Sequence, residues 1–356
     1  MKVLFISRKY PPQIGGMERY SYNLIKHFPG EKEKIVLKRT QKHLVWFLPY
    51  ALIKGLAMAR AADLVYLCDG LLSPIGYLVK KISGKPVIAT IHGLDITYNN
   101  LLYQKVNVPL LNKLDGIIAV SRSTLNDAID RGINPKKCFF IPNGIEISKL
   151  PSITGSEVRQ RLEKRLGVDL NNKTVLLTVG RMIKRKGVQW FIENVFQKLQ
   201  DSFIYCIVGV GKERVDIKCS INRMKLEKKV FLLGQISDEE LNLIYYAADL
   251  FVMPNISVPG DREGFGIVAL EASIRGLPVV ASDLEGIRDA VHEGRNGYLV
   301  QEKNVTGFSE MITKISKSSA DRTYRDGIKE YTRQKFSWDI IIEKYKKVIE
   351  TFIIKS

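Results

Sequence analysis

Two cations, Arg181 and Lys186, stand in T-V-G-R-M-I-K-R-K-G at residues 178–187, directly after an apolar, β-branched run. Arginine offers a planar fork to two phosphate oxygens and lysine a compact charge, so the pair suits a diphosphate. A solvated basic loop would use the same residue types, and Lys184 and Arg185 read as just that. A second stretch, E-G-F-G-I-V-A-L-E-A at 263–272, sets Glu263 in a loop and Glu271 eight residues on, along a helix that Gly264 and Gly266 open. At about 3.6 residues per turn, Glu271 falls over a turn inside that helix while Glu263 stays at its mouth beside the N-terminal amides. One carboxylate can then reach sugar hydroxyls while the other reaches deeper. The alternatives are a neighbouring cation for Glu271 and the helix dipole for Glu263.

Three further stretches belong beside these. In P-P-Q-I-G-G-M-E-R-Y at 11–20, Gly15 and Gly16 let backbone N–H groups come close to a phosphate, and Glu18 starts a helix. A plain strand-to-helix turn reads the same way. In T-I-H-G-L-D at 90–95, His92 ends an apolar strand, with Gly93 permitting close approach and Asp95 nearby. A lone histidine at a strand end is more often a structural hydrogen bonder than a catalytic group, though this one falls where a ligand would lie. His27, His43 and His292 have no such setting. V-G-V-G-K-E-R-V at 208–215 begins like a dinucleotide fingerprint, but Arg214 stands where the third glycine belongs, which weakens a dehydrogenase reading.

The elements that must position these residues form a repeated rhythm. K-V-L-F-I-S, L-V-Y-L-C, P-V-I-A-T-I-H, G-I-I-A-V and F-F-I-P-N alternate with helical stretches, one of them from Glu18 to His27. The pattern restarts with T-V-L-L-T-V-G, F-I-Y-C-I-V-G, V-F-L-L-G, L-F-V-M-P and P-V-V-A-S. Two α/β units with parallel sheets are implied. A chain of 356 residues also exceeds what one core usually supports. Residues 143–156, with Pro151 and Gly155, read as the linker, dividing domains at 1–150 and 151–337. Open parallel sheets bind ligands beyond the carboxyl ends of their strands, so the expected site is a cleft between the units.

Bulk composition excludes several classes. Hydrophobic residues at 45% and charged residues at 26% are ordinary for a folded soluble protein. The apolar run at 1–7 is too short for a signal peptide and reads as a first buried strand. The longest apolar stretch, 44–59, is broken by Pro49 and Lys54 and falls short of the ~20 residues that cross a bilayer. Cys68, Cys138, Cys206 and Cys219 are widely spaced, which suggests neither a zinc site nor a disulfide framework and fits a reducing cytoplasm. The net charge of +18 is uneven: residues 1–150 hold 22 Lys+Arg against 10 Asp+Glu, a local balance of +12. A basic first domain suits an anionic partner, such as a membrane surface, a phosphorylated acceptor or nucleic acid; solubility alone would explain it equally well.

Taken together, G-G-x-E, H-G-x-D, G-R followed by K-G, and E-G-F-G with a second Glu eight residues on resemble the retaining glycosyltransferases of family four. I-P-N-G at 141–144 and F-S-W-D at 336–339 extend the resemblance over nearly the whole chain. It implies a GT-B fold of two Rossmann-like domains, the first an acceptor side joined by a C-terminal helix at 338–356, the second a nucleotide-sugar donor side. Arg181 and Lys186 would bind the donor diphosphate, Glu271 the ribose hydroxyls and Glu263 the hydroxyls of the transferred sugar. Gly264 belongs to the same donor loop, Phe265 and Gly266 would offer backbone amides to a phosphate, and Gly15 and Gly16 would touch the diphosphate from the opposite domain. His92 would sit beside the donor sugar; Glu18 and Asp95 fall on the acceptor side. Closure would hinge near residues 150 and 337.

The resemblance implies no cofactor and no metal, in keeping with the lack of a D-x-D motif near the diphosphate groups. One departure is S-D-L-E-G-I-R-D-A-V at 282–291, where Glu285 replaces the first of two glycines common in the family and Asp289 stands for a glutamate. Residues 255–262, with Gly260 and Asp261, are similar to members that modify lipid-anchored acceptors. The implied reaction moves a sugar from a UDP- or GDP-sugar to a hydroxyl of a glycan or lipid-linked acceptor, in glycolipid or cell-surface polysaccharide synthesis. Catalysis would rest on Glu263, His92, Arg181 and Lys186. Lys32, Lys34, Lys38, Arg39 and Lys42 precede the apolar segment at 45–59, which suits either the cytoplasmic face of an anionic bilayer or a buried helix with a charged approach. Rival readings are a sugar-nucleotide epimerase of the same fold and a non-catalytic binder of anionic polymers; no motif for reading bases appears, so nucleic acid is not an expected partner.

Overall fold

The computed structural model describes residues 1–147, 155–319 and 321–354. Contacts group the chain into two units, the first made of Met1–Glu146, Gly260–Phe265 and Phe336–Ser356, the second of Ile147–Pro259 and Gly266–Lys335. The expected boundary at 150/151 and the hinge near 150 lie outside the described residues. Residues 260–265, assigned with the rest of 151–337 to the second domain on sequence, group instead with the first unit.

The first unit is built on six parallel strands: β1 (Lys2–Ser7), β2 (Glu31–Val36), β3 (Leu64–Leu67), β4 (Val87–Ile91), β5 (Gly116–Ala119) and β6 (Cys138–Phe140), in the order β2-β1-β3-β4-β5-β6. Strands β3, β4 and β5 are buried along their whole length, as expected of a sheet covered on both faces. One layer of helices comprises Leu44–Ala59, Ser73–Ser83 and Leu101–Lys113, which pack Phe47, Ala51, Val79 and Leu111 against the sheet. The opposite layer holds helix Gly16–His27 and the terminal helix Trp338–Ile353.

That terminal helix buries Trp338, Ile341, Ile342, Tyr345 and Ile349, the 3-4 spacing of one helical face. Burial of each such apolar side chain is worth about 1.5–3 kcal/mol, which secures the helix to this unit. The two terminal motifs meet here. A Cβ on Gly144 of I-P-N-G would lie 2.5 Å from the Trp338 ring of F-S-W-D, and the Ile145 amide donates to the Phe336 carbonyl at 2.7 Å. Glycine is needed at 144 because an indole occupies the space of any side chain.

The second unit repeats the plan with β7 (Thr174–Val179), β8 (Phe203–Val208), β9 (Val230–Gly234), β10 (Leu250–Met253), β11 (Val279–Ser282) and β12 (Gly297–Val300), ordered β12-β11-β10-β7-β8-β9 and parallel throughout. Its core gathers Phe191, Phe196, Tyr205 and Phe308 among aliphatic side chains. The α/β class with two Rossmann-like parallel sheets is as expected. Each sheet has one more strand than the apolar runs disclosed, and both extra strands, β2 and β12, lie at an edge. Among the described residues, no helix is long and apolar enough to cross a membrane.

Candidate functional site

In the first unit, the carboxyl ends of β1, β3 and β4 carry a network of charged and polar groups. The chain leaves β1 through Arg8 and Lys9 and enters helix Gly16–His27 at the paired glycines. Glu18 is buried in the first turn of that helix, and its Oε1 lies 3.0 Å from Lys9 Nζ. A Cβ on Gly15 would sit 2.4 Å from Glu18 Oε2, so the glycine makes room for this carboxylate.

After β4, the ring of His92 meets Tyr20 edge-on at 4.7 Å, and its Nε2 lies 3.0 Å from the Cys68 carbonyl oxygen. A carbonyl only accepts, so Nε2 carries a proton there, and in the neutral ring Nδ1 is the acceptor. Asp95 is buried and accepts from the His92 amide (2.7 Å) and the Gly70 amide (3.0 Å), tying the loops after β3 and β4 together. Burial pushes the Asp95 carboxyl above its ordinary range, against the pull of His92 and the two amides.

Two residues that the motifs did not single out complete this edge. Asp69, fully buried after β3, accepts from Arg8 Nε at 3.0 Å and from the Leu71 amide at 3.1 Å. Burial works against the Arg8 charge, but Asp69 outweighs it and holds the guanidinium above its usual range. The available signal was weak: an Asp-Gly pair directly after the apolar run L-V-Y-L-C.

The stretch Gly260–Phe265 is held in this unit at three points. Arg262 Nη1 lies 3.3 Å from Asp127 Oδ1, Phe265 is buried with its ring T-shaped to Phe336 at 6.4 Å, and a Cβ on Gly264 would stand 2.1 Å from the His92 carbonyl oxygen. Glycine at 264 and at 93 (φ 103°) therefore allows two backbones to touch. Glu263, half-buried between Arg262 and Gly264, is carried on this segment.

In the second unit, the loop after β7 brings Arg181 and Lys186 together at the strand's carboxyl end. Arg181 is exposed, while Lys186 is largely buried and folds back so that its Cε passes 3.3 Å from where a Gly180 Cβ would stand. Gly187 (φ 64°) ends the loop under the Pro254 carbonyl oxygen, which a Cβ would approach to 1.9 Å. Arg185 is not part of a solvated loop: it is 5% exposed, and its carbonyl accepts the Ile256 amide at 2.9 Å. Lys184 is exposed, as expected. Gly209 and Gly211, the imperfect fingerprint, serve packing, because Cβ atoms there would lie 1.9 Å from the Gly180 oxygen and 2.2 Å from the Met182 oxygen.

Gly266 (φ 86°) caps the short helix Ile267–Ser273, on which Glu271 is buried one turn in. The Tyr245 hydroxyl donates to Glu271 Oε2 at 3.0 Å, and Arg275 Nη1 donates to the Glu271 carbonyl. The grouping of contacts changes between Phe265 and Gly266, so the two glutamates of the eight-residue spacing fall in different units. Among the described residues, no group of three or more His, Cys, Asp or Glu side chains gathers as metal ligands would.

The chain matches the family model for Glycosyltransferase Family 4 over residues 29–149 and that for Glycosyl transferases group 1 over residues 160–335. It belongs to the family-four, group 1 glycosyltransferases. The glycosyltransferase is 26% identical to an uncharacterized glycosyltransferase of Methanocaldococcus jannaschii over 78% of its own length and 72% of that protein's. It is also 26% identical to the UDP-Gal:alpha-D-GlcNAc-diphosphoundecaprenol alpha-1,3-galactosyltransferase of Escherichia coli, over 71% of its own length and 66% of that enzyme's. Among solved structures, Anabaena HepE in complex with UDP superposes with a TM-score of 0.79 at 20% identity, covering 99% of this chain and 100% of that one. The likeness establishes the GT-B fold.

Proposed function

We propose that this glycosyltransferase transfers a sugar from a UDP- or GDP-sugar to a hydroxyl of a glycan or lipid-linked acceptor, with retention at the anomeric carbon and without a resident metal or cofactor. The donor side is the second unit and the acceptor side the first. The observation that carries this reading is the loop after β7, where an exposed Arg181 and a folded-back Lys186 are fixed by glycines pressed against carbonyl oxygens. Such a rigid pair of cations suits a diphosphate. The galactosyltransferase activity named for the Escherichia coli relative and the UDP bound by HepE support a nucleotide-sugar donor, UDP foremost.

In this reading the bond from the anomeric carbon to the diphosphate oxygen breaks with its electron pair on the nucleoside diphosphate, where Arg181, Lys186 and the Phe265 and Gly266 amides stabilise the developing charge. The acceptor oxygen bonds to the same face of that carbon, and its proton passes to a diphosphate oxygen. Glu271 holds the ribose hydroxyls, and Glu263, on the segment with Gly264, orients those of the sugar. Gly15 and Gly16 offer amides to the diphosphate. His92, with Nε2 committed to the Cys68 carbonyl, lies beside the donor sugar; Glu18 and Asp95 serve the acceptor side. The diphosphoundecaprenol acceptor of the Escherichia coli relative supports a role in glycolipid or cell-surface polysaccharide assembly. Four cysteines that are all free thiols support a cytoplasmic setting.

The deciding experiment is thermal stabilisation by UDP, GDP, ADP and their sugars without added metal. One nucleotide family at 100 times its Kd adds about 2.7 kcal/mol of stability, and Arg181→Ala abolishes the shift. No shift at saturating nucleotide removes the donor reading. Epimerised nucleotide sugar formed without any acceptor removes the transferase mechanism, and an inverted product anomer removes retention.

A further inference from the structure

The outer surface of one helical layer in the first unit has a composition that its packing does not require. Helix Leu44–Ala59 turns Phe47, Ala51, Gly55 and Ala59 inward at four-residue spacing. Its opposite face bears Val45, Trp46, Tyr50 and Ile53, with Trp46 77% and Ile53 71% exposed. The next helix, Ser73–Ser83, exposes Leu78 and Ile82; the third, Leu101–Lys113, exposes Leu101, Leu102 and Val106. These helices form one layer over one core, so the exposed side chains belong to a single side of the unit.

Charge on that side has one sign. Between residues 38 and 113 the chain has ten Lys+Arg and three Asp+Glu. Asp69 and Asp95 are buried, and Asp63 accepts the Lys2 amide at 2.7 Å at the far end of β1. Lys42, Lys54, Lys81 and Lys105 are exposed beside the apolar residues. Scattered apolar residues need no explanation, but an aromatic and aliphatic face on three helices that carry lysines and no Asp or Glu does. Such a face buries its apolar side chains in the headgroup region while its lysines meet anionic lipid. A protein partner would demand acidic groups of its own, whereas an anionic bilayer supplies both apolar depth and negative charge.

We infer that this three-helix face docks the glycosyltransferase onto an anionic lipid bilayer, with Trp46, Tyr50 and Ile53 inserted and the four lysines at the headgroups. The inference rests on the first unit alone, and it stands or falls without any nucleotide. The test is co-sedimentation with vesicles of phosphatidylglycerol and phosphatidylcholine, or of phosphatidylcholine alone, with tryptophan emission recorded in parallel. The expected result is binding to the anionic vesicles that weakens with salt, a blue shift lost in Trp46→Phe, and a ten-fold or greater fall in partitioning for Trp46→Ser/Ile53→Ser. Lys42→Gln/Lys54→Gln/Lys81→Gln/Lys105→Gln lowers binding to anionic vesicles to a similar degree. Both sets of substitutions are at exposed positions, so the melting transition and any nucleotide-induced shift persist. Absence of vesicle binding, or binding indifferent to both variants, overturns the inference. So does a dimer in solution that Trp46→Ser/Ile53→Ser converts to monomer, since a second copy would then cover the face.

Discussion

The carboxyl ends of the two sheets use cations in opposite ways. In the first unit Arg8 is paired with Asp69, and Lys9 with Glu18, so positive charge there is neutralised within the fold and holds loops in place. In the second unit Arg181 is exposed at the end of β7, on a loop whose glycines press against carbonyl oxygens. A buried pair mainly adds positional specificity, whereas an exposed cation on a fixed backbone remains available to an anion. Two similar folds therefore place their cations differently: Arg8 and Lys9 are spent on holding loops, and Arg181 stays exposed.

Arginine substitutions test that division most severely. Arg181→Ala is expected to lower kcat/KM about 100-fold or more, about 3 kcal/mol of transition-state stabilisation, with little change in unfolding free energy. Arg8→Ala should act in reverse, costing about 3 kcal/mol of stability because Asp69 would remain buried and charged without its partner. Adding Asp69→Asn to Arg8→Ala should recover part of that loss, as no buried charge remains. Denaturant unfolding and steady-state kinetics on the same variants separate the two. If Arg8→Ala lost activity while keeping its stability, Arg8 would be a ligand-binding cation and the contrast would fail.

Glycine contacts give a smaller effect and sharpen the second half of the comparison. Gly187→Ala adds a left-handed alanine (φ 64°) and a methyl that must displace the Pro254 carbonyl from 1.9 Å. Gly294→Ala, at φ 67° with no heavy atom within 4 Å of its Cβ, carries only the backbone cost. Unfolding measurements should give about 1 kcal/mol for Gly294→Ala and about 2–3 kcal/mol for Gly187→Ala, the difference being the clash. Nucleotide affinity should fall only in Gly187→Ala, because Lys186 is its neighbour. Equal costs at the two positions would mean that the loop yields and is not held rigidly.

What the sequence disclosed follows from burial. Ten strands are legible as apolar runs because sheets covered on both faces need continuous β-branched or aliphatic stretches. The two missed strands are edges: E-K-E-K-I-V, exposed over much of its length, and the four-residue G-Y-L-V. E-K-E-K-I-V is charged and solvated, so its sequence resembles a loop, whereas the other two edges, β6 and β9, are apolar and legible. Motif spacing brought Arg181 and Lys186 to one loop and paired His92 with Asp95, since each motif is local. The Arg8–Asp69 pair spans 61 residues and required the β1–β3 pairing to be known. Docking of residues 260–265 in the first unit depends on the Arg262–Asp127 pair and the Gly264–His92 backbone contact, neither of which spacing encodes.

The smallest effect concerns Glu285, at the departure from the resembled pattern noted on sequence. On sequence, Glu285 in place of a glycine looks like a lost backbone feature, yet its φ is 47°, in the left-handed region where glycine is at ease. The loop after β11 therefore keeps a glycine-like shape, with the strain carried by an L-residue. Glu285→Gly relieves that strain but adds chain entropy to the unfolded state, so its stability should stay within about 1 kcal/mol of the parent. Glu285→Val places a β-branched side chain at the same φ and should cost about 1–2 kcal/mol. Equal losses for glycine and valine would show that the side-chain contacts of Glu285, and not its backbone conformation, hold the loop. The departure would then be a change of interactions as well as of residue type.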